Sequence, residues 1–184
     1  SGAKNKYSYC TPLLITVKER KQVVLPGSGA VCSYDQKTGQ EIWRRQYDQG
    51  NAIKMKQNMS SPTPVTDGRL IWVVSGNGLI ACFDFDGKEK WRFDVPKNYG
   101  KIGIQFGFGG SPLLLDGMIF APTRVTPFLA FRAGGKGDIT TSHLAWKWTG
   151  KGSPDVPTPV SGGERLYLAD DQGALAMMTM ESKT

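Results

Sequence analysis

The side chains able to do chemistry are few and loosely spaced. The 184 residues include one histidine, three cysteines and 16 acidic residues. Asp138, Ser142 and His143 are the residue types of a nucleophilic triad, in which an imidazole takes the serine proton and a carboxylate orients the ring. Their closeness in sequence argues against that geometry, because triad partners are brought together in space by the fold. Carboxylates also pair at Asp84/Asp86 and at Asp170-Asp171. "FDFDG", Phe83 to Gly87, resembles a calcium loop only superficially: its glycine follows too soon and no distant glutamate completes it. Both pairs flank turns, where a carboxylate caps backbone amides. "AGGKGD", Ala133 to Asp138, fails the phosphate-loop spacing, and no helix signal follows it. "GIQFGFGG", Gly103 to Gly110, fails GxGxxG because Pro112 stands at the last glycine position. A zinc site would need further Cys or His at ligand spacing around His143. Cys10, Cys32 and Cys82 lie apart, form no CxxC pair and sit among strand-like neighbours, as small buried residues do. The expectation is a protein with no catalytic residues, no metal site and no cofactor.

The net charge of +7 and the pI near 9.4 could attract a polyanion. The basic residues are nevertheless scattered. The densest group, "KERK" from Lys18 to Lys21, sits between apolar runs as a solvated turn would. Nucleic acid is not an expected partner. No run of about 18 apolar residues occurs, so no membrane span is expected.

What would position any site is a repeat. "CTPLLI", "PTPVTDG", "GSPLLLDG" and "PTPVSGG" place prolines at Pro12, Pro64, Pro112 and Pro159, which are 52, 48 and 47 residues apart. Gly39 and Gly87 are 48 apart, as are Trp43 and Trp91. Within the second unit, "SPTPVT", "RLIWVVS", "LIACFDF" and "KEKWRFDV" are short runs rich in β-branched and aromatic residues, separated by Asp67-Gly68, Gly76-Asn77-Gly78 and Asp86-Gly87. Proline opens the first run of each unit, where a missing amide is tolerated. No stretch shows a sustained, capped helical period. Four antiparallel strands repeated every 40–50 or so residues predict an all-β fold, a β-propeller of four-stranded blades. The units read as 7–47, 60–95, 109–149 and 156–184, the last lacking its outer strand. That makes about four blades, a partial propeller. The glycine before each tryptophan allows a tight turn, and the ring is then placed to pack between adjacent blades.

"SYDQKTGQEIW", Ser33 to Trp43, resembles the tryptophan-docking motif AxDxxTGxxxW of PQQ-like β-propellers. Asp35, Thr38, Gly39 and Trp43 match, with Ser33 in place of alanine. "ACFDFDGKEKW" keeps Ala81, Gly87 and Trp91, with Phe83 at the aspartate position and Asp86 at the threonine. The third unit starts the motif at Ala130, but Trp146 follows Trp91 by 55 residues, so about seven are inserted in "RAGGKGDITTSH", Arg132 to His143. An irregular excursion is expected there, between the third and fourth strands of that blade. This family includes bacterial envelope propellers of the BamB type and PQQ-dependent alcohol and glucose dehydrogenases. The resemblance implies a periplasmic or other extracytoplasmic location. The quinone enzymes of the family usually carry a vicinal Cys-Cys disulfide, which this sequence lacks.

Two long connections remain, 44–61 and 96–110. They contain the basic and aromatic residues Lys54, Lys56, Tyr99, Lys101, Phe106 and Phe108. With Arg132, Lys136 and Asp138 of the insertion, these are the candidate interaction residues, since long loops on rigid scaffolds often bind partners. The function expected is a non-enzymatic scaffold for a protein or peptide partner. The alternative is a quinone- or sugar-binding propeller related to the dehydrogenases. An open arc is also expected to expose the faces of its end blades, which two copies related by a two-fold axis could cover to complete a ring.

Overall fold

The computed structural model describes residues 8–27, 29–50, 59–100, 107–122, 127–149, 156–170 and 172–179. Four antiparallel sheets follow one another along the chain, each ordered as a simple meander. The first holds β1 (Leu13–Val17), β2 (Arg20–Gly27), β3 (Ala30–Asp35) and β4 (Glu41–Gln46). The second holds β5 (Val65–Thr66), β6 (Leu70–Val74), β7 (Leu79–Asp84) and β8 (Glu89–Asp94), followed by α1 (Val95–Tyr99). The third is β9 (Leu113–Leu115), β10 (Met118–Ala121), β11 (Phe128–Arg132) and β12 (Leu144–Trp148). Three described strands make the fourth: β13 (Val160–Gly162), β14 (Arg165–Ala169) and β15 (Leu175–Thr179). The fold is a partial propeller. "KERK" supplies the tip of the first hairpin, with Lys18 and Glu19 both at positive φ, as a two-residue type I′ connection requires. No described helix is long and apolar enough to cross a membrane.

A meander buries neither of its faces alone, and the core accordingly lies between blades. Ile15, Val24, Val31 and Trp43 pack on Ile71, Val73, Ala81 and Phe83 of the second blade. The opposite face of that blade, with Trp72, Val74, Ile80, Cys82 and Trp91, packs on Ile119, Ala121, Leu129 and Phe131. Phe120, Phe128 and Ala130 then meet Leu166 and Leu168 of the fourth. Alternation along each strand sends successive residues into successive junctions.

The innermost strands are joined by a relay of hydroxyls, each one residue before the recurring proline. The Thr11 amide donates to Thr63 Oγ1 at 3.0 Å, the Thr63 amide to Ser111 Oγ at 2.8 Å, and the Ser111 amide to Thr158 Oγ1 at 3.1 Å. Each blade thus offers one amide and one hydroxyl, pointing opposite ways around the axis.

The outer strands are joined by indoles. Asp35 Oδ1 accepts the amides of Lys37 and Thr38 at 2.9 and 2.8 Å and the Thr38 hydroxyl at 3.1 Å, while Arg20 pairs with Oδ2 at 2.7 Å. This closed turn leads directly into β4 and fixes Trp43, whose Nε1 donates to the Phe85 carbonyl of the next blade at 3.0 Å. Trp91 repeats the move one blade on, donating to Gly134 O, with its ring 5.9 Å from that of Phe131. The second motif needs a correction. Register places Ser33 opposite Trp43, Cys82 opposite Trp91 and Ala130 opposite Trp146. Cys82 therefore stands where Ala81 was expected, and Ala81 faces the previous blade. Asp84, not the Phe83 position, does the capping, accepting the Asp86 and Lys88 amides at 3.1 and 2.8 Å. The turn is one residue shorter than the first, so alignment on glycine and tryptophan shifts the strand before it by one.

Candidate functional site

One end of β4, Pro96 to Asn98 of α1 and the third-blade insertion line an open cleft of about 1620 Å³. Its first wall is the segment leaving β4. The Tyr47 and Asp48 amides both donate to the Gly29 carbonyl, at 2.9 and 3.0 Å. A Cβ on Gly29 would lie 2.5 Å from Asp48 O, so only glycine lets this segment lie flat on the β2–β3 turn. Asp48 is buried; it accepts from Asn77 Nδ2 at 2.8 Å and from the Gln49 amide at 2.6 Å. The Tyr47 ring is buried edge-on to Phe83 at 6.1 Å, and its hydroxyl has no partner among the described residues. Burial pushes that hydroxyl's pKa well up.

The floor is the outer strand β8. Arg92 Nη1 donates to Tyr47 O at 3.1 Å, and Nη2 pairs with Glu89 at 2.6 Å. The bond to Glu89 and the nearby Glu89 and Asp48 charges hold the guanidinium in its charged form. The second wall is α1, a departure from the expectation that no stretch forms a capped helix. Asp94 caps it by accepting the Lys97 amide at 2.8 Å, and Pro96 fits its first turn. A helix of five residues is too short to show a helical period, which is why the sequence pattern missed it.

The third wall is the insertion, which runs without regular structure between β11 and β12. It crosses to the neighbouring blade, where the Gly137 amide donates to Lys90 O at 2.8 Å. Asp138 accepts the Thr140 amide at 2.9 Å; bonds from the Thr140 amide and side chain, and then the positive charge of Lys97, hold its carboxyl below the usual range. Asp138 and Lys97 thus attract each other across the cleft.

Of the residues singled out in the sequence, Asp138 lines the cleft and Lys136 is exposed beside it. Arg132 is exposed at the end of β11. Tyr99 is half-buried, with its ring 6.4 Å from Phe93. Phe108 requires a correction: it is only 1% exposed and its amide donates to Gly76 O at 3.0 Å, so it is a packing residue. Lys54, Lys56, Lys101 and Phe106 lie outside the described residues. Sequence reasoning passed over Asp48, Asn77, Arg92, Asp94 and Lys97. Only "DVPK", Asp94 to Lys97, carried a readable signal, an aspartate cap shortly before a proline.

The constellations that could have been catalytic are occupied otherwise. Ser142 Oγ lies 2.8 Å from His143 Nδ1, but Asp138 Oδ1 serves the Thr140 amide instead of the imidazole. Asp84 also pairs with Lys90 at 2.7 Å, and Asp170 accepts the Gln172 and Ala174 amides at 2.9 and 2.7 Å. Asp171 lies outside the described residues. Cys10, Cys32 and Cys82 form no disulfide and are buried on separate segments, so they do not fit the vicinal disulfide of the quinone enzymes. Among the described residues no three His, Cys, Asp or Glu side chains converge as metal ligands.

Comparison with known proteins places this architecture. A family model described as outer membrane protein assembly factor BamB matches residues 27–182. BamB from Moraxella catarrhalis is similar in structure with a TM-score of 0.65 and 16% identity, over 95% of this chain and 46% of that one. The chain therefore spans about half the length of that relative. The computationally designed proteins Ika4 and Ika8 are similar with TM-scores of 0.61 and 0.60 and identities of 11% and 12%. The Ika4 match covers 98% of this chain and 99% of the design, and the Ika8 match 90% and 44%. No curated protein sequence matches the chain. With a family model spanning all four sheets from the end of β2 onward, the chain belongs to the PQQ-like propeller family described as outer membrane protein assembly factor BamB.

Proposed function

We propose that this chain is a non-enzymatic propeller scaffold of the bacterial cell envelope, and that it binds a protein or peptide in the cleft between β4, α1 and the insertion. The observation that carries this reading is the cleft itself. Its volume of about 1620 Å³ exceeds the range of roughly 300–1,000 Å³ usual for small-molecule pockets. It is open and mixed in charge, with Arg92 and Lys97 set against Asp48, Asp94 and Asp138. An extended peptide suits such a site, because its main chain can bond along an outer strand while alternating charged side chains find opposite partners. Family membership supports the envelope location.

The test is capture from bacterial envelope extract on the immobilised chain, beside a variant carrying Lys97→Glu and Asp138→Lys. The expected result is a specific partner retained by the parent chain and lost from the variant. Equal recovery by both would sink the reading. So would a saturable, calcium-dependent absorbance change on titration with pyrroloquinoline quinone.

A further inference from the structure

The floor of the cleft is a strand edge with an open stretch in it. In the second blade Leu79 stands opposite Asp94, Ile80 opposite Phe93 and Ala81 opposite Arg92. The next pair along is hydrogen-bonded, since the Val95 amide donates to Gly78 O at 3.1 Å. Bonded and non-bonded pairs alternate along an antiparallel ladder. Phe93 therefore turns its amide and carbonyl toward β7, and Arg92 and Asp94 turn theirs away from it. Both of these residues line the cleft.

The edge is closed at both ends and open between them. At one end the Gly137 amide of the insertion donates to Lys90 O at 2.8 Å. At the other, Asn98 Nδ2 donates to Asp94 O at 2.7 Å, where α1 begins. Between them the Arg92 amide, the Arg92 carbonyl and the Asp94 amide bond to no group among the described residues. The stretch from Lys90 to Asp94 is about 13 Å long at roughly 3.3 Å per residue, enough for a short added strand.

The first blade treats the same position differently. Ser33 faces Trp43 as Cys82 faces Trp91, so Arg44 is the counterpart of Arg92. The Arg44 carbonyl accepts from Arg45 Nη1 at 2.8 Å. The counterpart of Arg45 is Phe93, which has no side-chain donor and is buried toward the third blade. An outer strand with open main-chain groups is a template for another extended segment, and proteins usually blunt it. Here the blunting stops where the cleft begins.

Charge narrows what can lie there. Asp48, Asp94 and Asp138 line the cleft against Arg92 and Lys97. Arg92 is already paired with Glu89 at 2.6 Å. The cleft therefore carries a surplus of negative charge on a chain whose net charge is +7. An added strand sends alternate side chains to opposite faces of the sheet. Arg92 reaches toward the first blade through its bond to Tyr47 O, while the insertion, with exposed Asp138, belongs to the third.

Resting on the reading of the cleft as a peptide site, we infer that its occupant is an extended basic peptide that adds as a strand to the outer edge of β8. Its main chain accepts from the Arg92 amide and donates to Arg92 O. A lysine or arginine on its insertion side pairs with Asp138.

The probe is an acetylated, amidated peptide of four Lys-Thr repeats, titrated into the 184-residue chain and followed by amide NMR. The Arg92 and Asp94 amides are expected to shift, and to exchange with water at least about 10-fold more slowly in the complex. The same peptide N-methylated at every residue keeps its charge but has no main-chain donor, and is expected to bind at least about 10-fold more weakly. A Glu-Thr peptide of equal length is expected to be weaker by a similar factor. Arg92→Ala keeps the edge amide and is expected to bind at least as tightly as the parent. Arg92→Pro removes that amide at a position where the ladder loses no bond, and is expected to lose the peptide. Equal binding of the methylated peptide, or unmoved Arg92 and Asp94 amides at saturation, would overturn strand addition and leave the cleft as a peptide site. Equal or tighter binding of the Glu-Thr peptide would overturn the charge assigned to the occupant. Binding by none of these peptides would overturn the inference outright.

Discussion

The indole of Trp43 lies directly over Gly87 of the next blade: a Cβ built on that glycine would meet Cδ2 of the ring at 2.6 Å. The same ring donates to Phe85 O, two residues before the glycine. Gly87 has φ +76, a conformation that side chains other than glycine rarely adopt. Gly87→Ala therefore combines backbone strain with a displaced indole and is expected to cost about 2–4 kcal/mol. Urea unfolding followed by tryptophan fluorescence measures it. A loss under about 0.5 kcal/mol, the range of a neutral surface change, would show that the dock is not tight.

Thr63 sits at the centre of the inner relay, accepting from Thr11 and donating its own amide to Ser111. Thr63→Val keeps the shape and removes only the acceptor. The expected cost is about 1 kcal/mol, the net value of one hydrogen bond. Ser111→Ala, which leaves the Thr63 amide without its acceptor, is expected to cost at least as much. Denaturation midpoints for the two variants, at unchanged slope, provide the check.

Asp35 is pulled from its ordinary 3.8 to about 2, first by the Thr38 amide and then by Arg20. Asp84 moves the same way: burial alone would raise it, but the Lys90 ammonium and the Lys88 and Asp86 amides outweigh that. A carboxyl held low in the folded state stabilises it above the unfolded pKa, and that contribution is lost as pH falls through the folded value. Stability is therefore expected to hold above about pH 4 and to decline between about pH 4 and pH 2. Asp35→Asn should be less stable at neutral pH and show a shallower decline. An identical acid profile for variant and parent would refute the role given to this turn.

Burial pushes the Cys82 thiol up to about 12 and also raises that of Cys10. Thiolate, the reactive form, is scarce at such values. An aromatic disulfide reagent at pH 8 is expected to find no rapidly reacting thiol in the native chain and three after denaturation. Fast labelling of the native chain would contradict the burial of Cys10, Cys32 and Cys82.

The fold was legible because its rules are local and repeated. Pro12, Pro64, Pro112 and Pro159 mark the inner strands, and Trp43 and Trp91 mark the outer ones, so a reader of the sequence can count blades. The hydroxyl before each proline was equally visible, but nothing local says what Thr63 or Ser111 will bond, since the partner lies in another blade. The strand before the second docking turn was misread by one residue because a turn can shorten without losing its glycine or its capping aspartate. The cleft was the least legible part. Asp48, Arg92 and Asp138 come from three blades, and each looks alone like an ordinary surface charge. Phe108 misled for the converse reason: a glycine-rich neighbourhood suggested a loop on the surface, whereas its ring is packed inside.

The relay spacings of 52, 48 and 47 residues accompany bonds that differ by only a few tenths of an ångström. Variation in unit length is thus absorbed in the outer connections, and the inner circle does not register it. Each junction reads one hydroxyl and one amide at the same point of every unit. Cutting the gene between two equivalent positions and rejoining it would therefore recreate a junction already in use. Copy number becomes a heritable variable separate from the chemistry of any one unit, so such an arc can lengthen or shorten by recombination before any side chain has to change.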